Sequence, residues 1–176
     1  MIDPTRNHFE LFGLPQRYRY DGAALERAYR ALQSEVHPDR VAGGSEQQKR
    51  AALQSSAHVN EAFRALKDPV ARASYLLRLH GVDALDETDT ALPLPFLERQ
   101  LERREVAEDA VAARDVRALS SLVAEIRTEV VDREALLVHM LDDQHAYAAA
   151  RTAVRELQFL TKLAADVGTL QATLDD

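Results

Sequence analysis

The stretch DGAALERAYRALQSEVHPDR, residues 21–40, decides how the chain folds. The Asp21 carboxylate can cap a helix, and Leu25, Ala28, Tyr29, Leu32 and Val36 then recur at helical spacing. Pro38 ends that helix, because proline disfavours helical geometry in the residue before it. The tripeptide His37-Pro38-Asp39 is therefore predicted to sit on a loop at a helix end. Pro38 fixes its own backbone and removes a donor, which stiffens the loop. Asp39 offers a carboxylate that can accept a bidentate pair from a partner's arginine.

Upstream, HFELFGLP (8–15) predicts a short helical turn over His8 to Phe12, stopped by Gly13 and Pro15. Downstream, Ser45 and Gln48 have the spacing of a capping box and open a third helix, with Ala52, Val59, Ala62, Phe63 and Leu66 along one stripe. Asp68-Pro69 supplies a cap and a proline at the first helical position, so a fourth helix begins there. It is predicted to end near His80-Gly81, where glycine accepts a left-handed cap.

Residues 82–94 (VDALDETDTALPL) are acidic and proline-punctuated and are read as a link. Three longer helical patterns follow, at roughly 95–113, 115–141 and 144–173. The second carries Val116, Leu119, Val123, Ile126, Val130, Leu137 and Met140, interrupted by Arg133. One apolar seam per helix with short turns predicts an antiparallel bundle. Period-two strand signals are absent. The expected fold is all-α, with a first module over 1–81, the link over 82–94 and a three-helix bundle over 95–176.

Composition narrows the chemistry. The chain has no cysteine, which excludes disulfides, thiolate nucleophiles and thiolate ligation of metals or clusters by its own residues. Residues 1–81 hold 12 Lys+Arg against 9 Asp+Glu, and residues 82–176 hold 10 against 20. An acidic chain without a dense basic patch predicts no nucleic-acid ligand. No apolar run is long enough to span a bilayer, and MIDPTRNHFE has no apolar signal core, so a soluble cytoplasmic protein with no membrane partner is expected. His139 and His145 near Asp142 and Asp143 read more simply as helix-end polar residues than as a metal site. The short glycine pair 43–44 cannot cradle phosphate, and no metalloprotease, nucleophile-elbow or dinucleotide motif occurs. No catalytic residue, metal or cofactor is expected. A hydrolase using His37 and Asp39 lacks a nucleophile, and the proline between them suits mutual contact poorly.

HFELFGLP, AYRAL (28–32), HPDR (37–40) and VNEAFRALKDPVARASYLL (59–77) together resemble a complete J-domain over residues 7 to about 80. Asn60, Ala62, Phe63, Leu66, Asp68, Pro69, Arg72 and Tyr75 fall where that pattern expects them. YLLRLHG (75–81), FLERQLERRE (96–105) and ELQFLTKL (156–163) extend the resemblance, over nearly the whole chain, to the HscB family of iron–sulfur assembly co-chaperones. The resemblance implies an L-shaped pairing of J-domain and bundle, a DnaK-type chaperone partner (HscA) and an iron–sulfur scaffold partner (IscU). It also implies that His37, Pro38 and Asp39 contact the chaperone's ATPase domain and trigger hydrolysis. Arg27, Arg30 and Arg40 would steer that docking. The second helix is less basic than is usual in generalist J-domains, since Glu26 and Glu35 oppose Arg27 and Arg30, which fits a dedicated chaperone. A J-domain co-chaperone for a different client is the alternative reading.

Helix geometry bears on the scaffold surface. At about 100° per residue, Phe96, Ala107, Ala110 and Val111 share one arc, and Leu97 and Leu101 point away from it. Gln100 and Arg103 fall on the core arc despite their polarity. Phe159 likewise falls off the arc set by Leu157, Leu160 and Ala164. The resemblance assigns scaffold contact to Leu97, Leu101, Glu102, Glu105, Asp109 and Phe159. Glu98 replaces an apolar residue often found beside the first leucine, which predicts a smaller or more polar patch.

Overall fold

The computed structural model describes residue 3 and residues 5–37, 43–86 and 91–175. Among them the chain forms α1 (His8–Leu11), α2 (Gly22–Val36), α3 (Glu46–Lys67), α4 (Pro69–Leu79), α5 (Leu94–Ala112), α6 (Val116–Val138) and α7 (Tyr147–Asp175). A π-helical turn, His139–Asp143, follows α6. No strand forms among the described residues. No helix there is long and apolar enough to cross a membrane.

Two compact units divide the chain, Met1–Leu76 and Leu77–Asp176. In the first, side-chain oxygens satisfy the orphan amides at the helix starts. Asn7 and Glu10 make a capping box on α1, Asp21 accepts from Ala24 N–H, and Ser45 and Gln48 make the capping box of α3. Asp68 accepts from the Ala71 N–H at 2.7 Å and starts α4. Gly13, after α1, has φ of +64°, a region where a Cβ is penalised.

Tyr29 stacks on Phe63 at 4.0 Å, and Tyr29 and Gln33 both donate to Asn60 Oδ1. Contacts between residues ascending in α2 and descending in α3 mean that the two helices run antiparallel. Leu25, Val59 and Leu66 are buried between them. Arg72, only 4% exposed, lies over the rings of Tyr18 and Tyr20. It donates to the carbonyls of Tyr18 and Leu66, both at 2.8 Å. This buried guanidinium ties the segment before α2 to the α3–α4 corner, where every donation it makes offsets its desolvation.

In the second unit, Phe96, Ala107 and Ala110 of α5 pack with Leu119, Leu122, Val123 and Ile126 of α6 and Leu160, Ala164 and Val167 of α7. The core is thus the inner face of three helices, as their apolar seams predict. Leu137, Leu141, Val154 and Leu157 continue the buried set. Gly81, just past α4, has φ of +77° and serves as the left-handed cap expected there. The stretch read as a plain link is partly built into the unit. Ala84 is buried, and its carbonyl accepts from Arg155 Nε of α7 at 2.8 Å. A short acidic segment carries no periodicity from which such burial could be read.

The expected end of the second bundle helix also shifts. Helical hydrogen bonding changes register at His139, and α7 starts at Tyr147. His145 takes a φ of +53° in the turn, with its Nδ1 3.1 Å from the Leu141 carbonyl.

Candidate functional site

Two surfaces carry the residues singled out above, one in each unit. On the first, Arg27 and Arg30 project from the outer side of α2, 71% and 77% exposed on their side chains. Arg27 lies 4.0 Å from Asp21, and Arg30 lies 3.7 Å from Glu26. His37 caps the end of α2 and is exposed. Pro38, Asp39 and Arg40 lie outside the described residues.

The second surface is a face of α5. Leu101 is 60% exposed and Leu97 is 38% exposed, while Phe96, Gln100, Arg103, Ala107 and Ala110 are buried. Burial therefore alternates as a helix with one inner arc requires. Glu98, Glu102, Glu105 and Asp109 are exposed beside the two leucines. Phe159 differs from its expectation. It is half-buried and meets the ring of Phe96 edge-on at 5.7 Å, so part of it belongs to the bundle core.

Behind this face lies the reason why polar residues occupy the core arc. Arg103 Nη2 is 2.7 Å from carboxylate oxygens of both Glu125 and Glu129. Its Nη1 donates to Gln100 Oε1, and Gln100 Nε2 donates in turn to the Phe96 carbonyl. Glu129 also pairs with Arg99 and Arg133, and Arg133 reaches Glu156 of α7 at 2.7 Å. Burial pulls the Arg103 pKa down, but hydrogen bonds to Glu125 and Glu129 outweigh it and leave the guanidinium more firmly protonated than usual. Burial pushes the Glu156 carboxyl above its ordinary range against the pull of Arg133, and nearby Glu129 adds to the rise. The ladder joins all three bundle helices and fixes which side of α5 faces outward.

Residues 7–75 match the family described as DnaJ domain, and residues 92–168 match the one described as HSCB C-terminal oligomerisation domain. A co-chaperone protein HscB homolog of Burkholderia multivorans is 48% identical over 168 residues, which cover 96% of this chain and 95% of that one. The chain belongs to the HscB co-chaperone family. A Paraburkholderia phymatum HscB homolog is 45% identical over the whole of both chains. The structure of chaperone HscB from Vibrio cholerae superposes with a TM-score of 0.86 at 36% identity, covering 96% of this chain and 99% of that one. Human co-chaperone protein HscB gives a TM-score of 0.85 at 26% identity, covering 96% and 83%.

Two features of this HscB-type chain escaped sequence reasoning. Leu94, 67% exposed, falls three residues before Leu97 and seven before Leu101, so it lengthens the outward leucine row. Its place beside Pro93 and Pro95 hid it in the link, although its spacing from Leu101 was a usable signal. Lys67, at the end of α3, reaches across to Glu26 of α2 at 3.1 Å and so joins the arginine-bearing face. Only tertiary pairing brings those two helices together, and no local pattern reports it.

Proposed function

We propose that this J-domain co-chaperone stimulates the ATPase of an HscA-type chaperone and delivers an IscU-type iron–sulfur scaffold to it in the cytoplasm. Residues 1–81 form the chaperone-docking module, with His37, Pro38 and Asp39 at the ATPase domain and Arg27, Arg30 and Arg40 steering the approach. Residues 95–176 grip the scaffold through Leu97, Leu101, Glu102, Glu105, Asp109 and Phe159, and residues 82–94 join the two. Holding client and chaperone together raises their effective concentration, and stimulated hydrolysis traps the client. The adaptor makes and breaks no bond itself.

The observation that supports this best is the pair Leu97 and Leu101, left exposed within an acidic rim on a helix whose opposite face buries Phe96, Ala107 and Ala110. Exposed leucines among carboxylates suit a partner that offers an apolar patch bordered by cations. Each is worth about 1.5–3 kcal/mol when fully buried. The test is calorimetric titration of the scaffold into wild type and into Leu97→Ala/Leu101→Ala. Because both side chains are exposed, the fold is expected to survive. Affinity is expected to fall by roughly 100-fold; equal affinity in the two proteins would remove this face as the scaffold site.

A further inference from the structure

We infer that Glu26 restrains chaperone docking by neutralising Arg30 and Lys67, and that Lys67 is a docking cation supplied by α3. The inference rests on the reading of the α2 face as the docking surface.

Glu26 sits at the α2–α3 seam, with Oε1 3.1 Å from Lys67 Nζ and Oε2 3.7 Å from Arg30 Nη2. One carboxylate therefore bridges cations from two helices. Lys67 is held at this seam from below as well, because its ammonium lies 5.2 Å from the centre of the Phe63 ring, which is stacked on Tyr29. The other carboxylates nearby have their own work. Asp21 lies 4.0 Å from Arg27 and caps α2, and Asp68 accepts from the Ala71 N–H. Among the described residues, three cations thus face Glu26 and Asp21 on this side of the unit, and of these two carboxylates Glu26 touches two of them.

All these groups are substantially exposed, and ion pairs of this kind are weak. Carboxylates of an incoming partner can therefore replace Glu26 as neighbours of Arg30 and Lys67. Glu26 cannot leave the helix, however, and stays beside the new contacts as a like charge. Such a residue slows encounter and shortens the complex without altering its geometry. The strength of docking is then set by a residue that need not touch the partner.

The test is stopped-flow association of the full chain with an HscA-type chaperone, at low salt and again at about 1 M salt, where charges are screened beyond roughly 3 Å. Glu26→Gln is expected to associate about two- to fivefold faster at low salt, with the gain lost at high salt. Lys67→Gln is expected to associate more slowly by a similar factor. Glu61→Gln makes the same charge change on an exposed part of α3 and is expected to do less. In an Arg30→Gln/Lys67→Gln background, Glu26→Gln is expected to do nothing, which a general charge effect would not reproduce. If wild type associates and Glu26→Gln is no faster, the inference is overturned while docking stands. If wild type shows no association, the docking reading and the inference fall together.

Discussion

Arg103 of α5 and Glu129 of α6 meet at 2.7 Å, with side chains only 6% and 14% exposed. A charged pair inside a small helical bundle is costly unless both members are well bonded. Here Arg103 has three side-chain acceptors and Glu129 has three arginines. The pair orients α5 because it can form only when Arg103 points inward, and Leu97 and Leu101 are then turned out.

Removing Glu129 takes away the carboxylate that Arg103 and Arg133 share and leaves them to Glu125 with Gln100 and to Glu156. Glu129→Leu is expected to destabilise the second unit by about 1–3 kcal/mol, the cost of losing hydrogen bonds to charged groups. Urea unfolding of the full chain, followed by circular dichroism, reads this directly. A loss within the range of ordinary surface substitutions would mean that the ladder does not orient α5.

Glu156 gives the bundle a pH dependence of definite sign. Its folded-state pKa lies above the ordinary 4.5, chiefly because burial disfavours the ionised form. The folded state therefore holds this proton more tightly than the unfolded one, so stability falls as pH rises from the ordinary value through the raised one. Glu156→Gln, which mimics the protonated carboxyl, is expected to remove that fall. Urea midpoints taken from about pH 4 to about pH 7 should show wild type losing ground to the variant; parallel curves would contradict the assignment.

Arg155 tests how the stretch before α5 is held. Its guanidinium donates to the Ala84 carbonyl at 2.8 Å and reaches that of Ala91 at 3.5 Å. Arg155→Met keeps most of the side-chain volume and is expected to cost about 1–3 kcal/mol, as lost bonds to a charged donor do. Chymotrypsin is also expected to cut faster at Leu85, which the wild-type clasp holds in place. Unchanged cleavage would show that burial of Ala84 suffices alone.

Much of the architecture was legible because it rests on local chemistry. Asp21, Ser45 with Gln48, Asp68-Pro69 and Gly81 mark helix ends through bonds or dihedrals within a few residues, and the structure has them in those roles. The inward arc of α5 was legible from periodicity alone, including the polar Gln100 and Arg103. Their partners were not, because Glu125 and Glu129 lie more than 20 residues away and pair only after the bundle closes. The contact of Phe159 with Phe96 was hidden for the same reason. Its angular position is off the arc, but its ring is large enough to reach back onto Phe96. The clasp of Arg155 on Ala84 spans 71 residues and leaves no mark on either local pattern.

Steady-state ATP hydrolysis by an HscA-type chaperone, with and without scaffold, tests the adaptor most directly when wild type is set beside Asp39→Asn and Leu97→Ala/Leu101→Ala. Wild type is expected to stimulate alone and further with scaffold, the leucine variant to keep only the first effect, and Asp39→Asn to return to the unstimulated rate. Stimulation that persists in Asp39→Asn would contradict the account.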